Sequence, residues 1–128
     1  MRVLCALLLT VILADIASAQ NLTGKAAPVP EYPTAAAALE ALRAKSGVKI
    51  STEAGWTVIE DRSTFSVWSF TPPGHPAFPA AIHRQVVQDG NNMFVKTSVL
   101  CEAPKSACDA VVAEFQKLNG QVRDELKQ

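Results

Sequence analysis

Residues Cys101–Cys108 read "CEAPKSAC", and the role of these two cysteines decides how the chain is assembled. On one continuous helix, residues seven apart are separated by about 10 Å, whereas a disulfide needs Cα atoms about 5.5 Å apart. A turn at Ala103-Pro104 removes the conflict. Cys101 then ends a strand, Cys108 lies in the first turn of a helix, and a bond between them ties the two elements together. A zinc site wants four ligands, and the other soft candidates, His75 and His83, have no ligand-type spacing, so neither a metal site nor a cofactor is read. A thioredoxin-like centre wants two residues between its cysteines, and here there are six. The pair is read as a structural disulfide.

The N-terminus supplies the redox context. Arg2 is a short basic start, and Val3–Ala14 is an apolar run shorter than the roughly 20 residues of a membrane span. Ala17-Ser18-Ala19 offers small residues at a cleavage site, so residues 1–19 are read as a signal peptide. Cys5 leaves with it, and the two thiols left in an exported chain are expected to pair. Arg2 and Asp15 leave together, so the balance of 12 basic and 12 acidic side chains stays neutral. No basic stripe remains to favour nucleic acid or an anionic membrane, and no membrane span is expected after cleavage. Roughly 110 residues are left, enough for one domain with a modest core.

Upstream of Cys101 the chain reads as strands. Met93, Val95, Thr97, Val99 and Cys101 alternate onto one face, expected to be the inner one, so that Cys101 points at the layer carrying Cys108. Asp89-Gly90-Asn91-Asn92 is the strongest turn signal and joins this strand to Ala81–Gln88. Thr64–Thr71, "TFSVWSFT", is rich in aromatic and β-branched residues, and two shorter runs, Val48–Thr52 and Gly55–Glu60, precede it. Residues 20–33 read as a flexible tether. Thr34 is an N-cap for an alanine-rich helix that ends near Gly47.

Downstream, Pro104 suits the first position of a helix, along which Cys108, Val111, Val112, Phe115, Leu118 and Val122 form an apolar stripe. Gly120 is expected to end or weaken it. Residues 34–128 therefore read as one α+β domain. It is a two-layer sandwich, a four- or five-stranded antiparallel meander with an N-terminal and a C-terminal helix on one face.

No catalytic set assembles from the sequence. His75 and His83 lack a nucleophile elbow beside them, and Glu60 and Asp61 point to opposite faces of a strand. The aromatic residues are more informative. Trp56, Phe65, Trp68, Phe70 and Phe78 gather around the first hairpin and the proline-rich segment Pro72–Ala80. Either that loop folds over the sheet with Phe78 on Trp68, or Trp68, His75, Phe78 and Arg84 rim a binding surface of the residue types that carry interfaces.

The order Trp68-x-Phe70-Thr71, His75-Pro76-Ala77-Phe78-Pro79 and Cys101-x6-Cys108-Asp109 resembles that of uncharacterised small exported proteins of Gram-negative bacteria. The similarity covers about Trp56 to Asn119. It implies a periplasmic location, and hence a formed disulfide, and carries over no catalytic residue. The expected function is a non-enzymatic binding or accessory role in the periplasm or outside the cell, toward a periplasmic or envelope protein. Two alternatives stand beside it. One is an inhibitor that inserts the Pro72–Ala80 loop into a secreted or envelope hydrolase; the other is a small hydrolase using His75 or His83.

Overall fold

The structure, a computed structural model, describes residues 31–126; the stretch read as a signal peptide and most of that read as a tether lie outside them. Helix α1 (Ala35–Ala44) is followed by β1 (Lys49–Glu53), β2 (Trp56–Asp61), a 3-10 turn at Arg62–Thr64, β3 (Ser66–Phe70), β4 (Ala80–Asp89), β5 (Asn92–Cys101) and α2 (Lys105–Leu126). The five strands pair antiparallel in chain order, so every strand neighbours its successor. The α+β class, the meander and a helix at each end are as the sequence reads. No helix among the described residues is long and apolar enough to cross a membrane.

Local chemistry sets the boundaries. The Thr34 hydroxyl accepts from the Ala37 amide at 3.1 Å, satisfying one of the unpaired donors at the start of α1. Between β1 and β2, Ala54 and Gly55 both take positive φ, the twist a two-residue hairpin demands. The Asp61 carboxylate caps the 3-10 turn through the Ser63 amide. At the start of α2 the Pro104 carbonyl accepts from the amides of Ala107 and Cys108. Gly120 does not end α2, which continues to Leu126; the cost of about 1 kcal/mol is absorbed.

Cys101 and Cys108 form a disulfide with Cα atoms 5.8 Å apart. That bond fixes more than a join. Cys101 shares its sheet face with Val99 and, across the ladder, with Ile82 and Ala80, and α2 packs Val111 and Phe115 onto this set. The other face carries Ile59, Trp68, Phe70 and Ala81, covered by Ala35, Ala38 and Leu42 of α1. Ala81 and Ile82 are consecutive and belong to different clusters, so the helices lie on opposite faces, not on one. The physical reason is that β2, β3 and β4 are apolar on both sides, and a nine-residue loop cannot cover what a helix can. Three layers result, with Ile59 and Ile82 fully enclosed on either side, each contributing about 1.5–3 kcal/mol.

Two further expectations change. Phe78 does not sit on Trp68: the proline loop folds over the α2 face, where Ala77 is buried against that helix's cluster. Met93 and Val95 are on the anticipated face but are 70 % and 41 % exposed. Strand β3 begins only at Ser66, opposite Gln85, so beyond that point β4 and β5 continue as a two-stranded hairpin with too little sheet behind it to form a core.

Candidate functional site

The α2 face carries a row of four side chains. The His75 ring meets Trp56 edge-on with centroids 5.0 Å apart. Trp56 lies 5.7 Å from Phe115, and the Arg84 guanidinium stands 5.3 Å from the Phe115 centroid. Each is placed by a different element: Trp56 opens β2, Arg84 projects from β4, Phe115 comes from α2 and lies between them, and His75 comes from the loop. Phe115 is buried, whereas Trp56, His75 and Arg84 are partly buried and keep some surface exposed. The row therefore has an aromatic floor and a partly accessible outer side.

The loop is held rigidly enough to keep His75 there. At its ends the Thr71 amide donates to the Ala80 carbonyl (3.1 Å), and the Ala80 amide donates to the Thr71 hydroxyl (2.9 Å). Within it, His75 N–H donates to the Pro72 carbonyl, Phe78 N–H to the His75 carbonyl, and Ala77 N–H to His75 Nδ1 at 3.0 Å. An accepting Nδ1 leaves the ring proton of neutral His75 on Nε2. Gly74, at φ +91°, takes a turn conformation that a side chain would oppose. Phe78, 45 % exposed, stands out from this loop.

Arg84 is the cationic member of the row. Its Nε is buried without a hydrogen-bond partner, and burial pushes its pKa down while Glu53 pulls it back. The guanidinium nevertheless stays charged, because its ordinary value is so high. A cation held against an aromatic ring is suited to an acidic or carbonyl-bearing partner group, received by its terminal nitrogens and not by the buried Nε.

No family model, curated protein or solved structure matches the chain. The functional reading therefore rests on this geometry.

Of the four residues singled out from sequence, His75 and Arg84 are brought into one row, Phe78 stands on the adjoining loop, and Trp68 is elsewhere. Trp68 is 4 % exposed beneath α1 and stacks on His83 with centroids 4.1 Å apart and planes 6° apart. Trp56 takes its place in the row. Phe115 was legible only as part of the apolar stripe of α2. A Trp at the first position of a strand, next to a hairpin turn, is the signal that could have favoured Trp56, because strand ends are less covered than strand centres.

On the α1 face, His83 lies in a cleft of about 270 Å³ with Ser66, Asp61, Lys45 and Tyr32. His83 Nε2 shares a 2.8 Å hydrogen bond with Ser66 Oγ. Ser66 is 4 % exposed and its hydroxyl also reaches the Thr64 carbonyl at 3.3 Å, an arrangement that satisfies a buried hydroxyl more readily than it presents a nucleophile. Asp61, 3 % exposed, pairs with Lys45 and accepts from the Ser63 hydroxyl at 2.6 Å. Its pKa is lowered to about 2, first by the Lys45 hydrogen bond and then by Ser63.

These two groups predict a stepped acid response. Burial lowers the His83 pKa below 6.5, so the unfolded chain takes up that proton first and stability falls as pH drops through about 6.5. The Asp61 contribution is present above 3.8 and is lost as pH falls from there toward about 2. Urea midpoints should decline in two steps, below pH 6.5 and again below pH 4. His83→Gln should remove the first step and leave the second.

Proposed function

We propose that the chain is a small exported, non-enzymatic binding protein of the periplasm, whose α2 face engages a protein or envelope component. The observation that carries this reading is the His75–Trp56–Phe115–Arg84 row, partly exposed along its length and ending in a charged group held on an aromatic ring. Aromatic residues and arginine supply most interface hot spots. The disulfide supports the exported setting, since such bonds persist in oxidising compartments.

The reading is tested by quantitative co-purification from native periplasm with the wild-type protein, Trp56→Ala and Arg84→Met. Methionine keeps apolar volume on Phe115 and removes the charge. A partner held by wild type should fall by about 30-fold in affinity with either variant, the range of a hot-spot loss. Equal recovery across the three proteins would remove the α2 face from consideration.

The loop itself favours a second reading. Phe78 is displayed at 45 % exposure on a loop fixed by internal hydrogen bonds, and such preorganisation lowers the entropic cost of insertion into a cleft. An inhibitor of an envelope hydrolase would lose its effect on Phe78→Ala and keep it on Arg84→Met. The binding face reverses that order.

A further inference from the structure

The two edges of the sheet are built differently. Strand β1 has five residues, and its outer positions include Lys49 and Glu53. Short, charged edges of this kind discourage pairing with another strand. Strand β5 has ten residues, pairs with β4 without a bulge, and carries Lys96 as its sole charge. It has no proline and no break. Its outer half is apolar on both sides: Met93 (70 % exposed) and Val95 (41 %) on the α2 face, Phe94 (47 %) on the α1 face.

The direction of its backbone groups follows from the ladder. The Val86 amide donates to the Phe65 carbonyl, away from β5, and the Ala80 carbonyl accepts from Thr71. Val86 and Val95 are therefore a pair that exchanges no hydrogen bonds, as are Gln88–Met93 and Arg84–Thr97 at alternate steps. The amides and carbonyls of Met93, Val95, Thr97 and Val99 point outward from the sheet, and no hydrogen bond among the described residues engages the Met93, Val95 or Thr97 backbone on that side.

We propose that β5 pairs antiparallel with β5 of a second copy, about a two-fold axis at Val95, to give a continuous ten-stranded sheet. A homotypic two-fold contact needs a surface that complements itself, and this edge does. Centred on Val95, the pairing sets Val95 against Val95, Met93 against Thr97, and Phe94 against Lys96 of the second copy. The lysine stem then lies along a phenyl ring, and its charge faces no other lysine. Centred one residue later, the two Lys96 side chains would meet and repel. The outward amides gain partners and the exposed apolar side chains are covered from both faces, which is how edge strands recruit a partner strand.

The test is sedimentation equilibrium of the leader-less, oxidised protein between about 1 and 500 µM, a range that spans weak and moderate two-fold association. Wild type should shift from monomer to dimer mass across it, and the amides of Met93, Val95 and Thr97 should gain hydrogen-exchange protection with concentration while those of Phe94 and Lys96 stay constant. Val95→Pro removes one outward donor and no ladder bond, and should remain monomeric throughout. Val95→Lys is the second variant, in case proline disturbs folding, and should also be monomeric. Ile50→Lys, a comparably exposed site on the β1 edge, should dimerise like wild type. A wild type that stays monomeric at every concentration, or a dimer that survives both Val95 variants, overturns the proposal.

Discussion

Trp68→Ala is expected to cost about 3–5 kcal/mol, the range for an aromatic side chain deleted from a core. Trp68 is 4 % exposed and touches most of what lies under α1. Its ring stands 5.6 Å from Tyr32, 6.2 Å from Phe70 and 4.1 Å from His83, and it belongs to the cluster with Ala38 and Leu42. Ala35 and Ala38 are too small to move into the space. Helix α1 has ten residues, below the length at which an isolated helix persists in water, so its order depends on the surface that Trp68 provides. Urea unfolding should show the loss in the midpoint, and amides of α1 should lose exchange protection before those of α2. Trp56→Ala, at a partly buried strand end, should cost less, about 1 kcal/mol. Comparable losses for the two tryptophans would mean that the assignment of one to the core and the other to a surface is wrong.

That contrast also shows what a sequence can and cannot reveal about this chain. Alternation along "TFSVWSFT" identifies a strand, and Thr34, the Gly90 turn and the Cys101–Cys108 spacing locate a cap, a hairpin and a staple, because each is local chemistry read within a few residues. Which face Trp68 occupies is not local. It depends on the register Trp68↔His83 and Ser69↔Ile82, and on α2 being drawn by Cys101 to the side opposite α1. The same limit explains the binding row. Trp56 and Phe115 are about sixty residues apart in the chain and meet only because α2 runs back across the sheet, whereas His75 and Arg84 stand out by residue type alone. The exposure of Met93 and Val95 was hidden for a further reason: alternation gives the face of a residue, not whether the neighbouring strand is long enough to support a core there.

Replacing both Cys101 and Cys108 with serine is expected to lower stability by about 2.5 kcal/mol, the loop-entropy value for an eight-residue ring, a large share of what a small domain possesses. The loss should not be spread evenly. Helix α2 starts four residues after Cys101, and the described contacts that hold it to the sheet are Val111, Phe115 and Ala107 in the second cluster and the Asn119–Thr97 hydrogen bond at 2.9 Å. Loosening its first turn therefore acts on Ala107 and Val111 and then on Phe115, and through Phe115 on Trp56 and Arg84. Tryptophan emission should shift to the red in the serine variant at low urea, and the shift should vanish in a Trp56→Phe background, because Trp68 lies on the far face under α1. Reduction of the wild-type protein should reproduce both effects. If the oxidised and reduced proteins unfold at the same urea concentration, the bond does not hold α2 in place, and packing against Ile82 and Val99 alone must determine which face that helix covers.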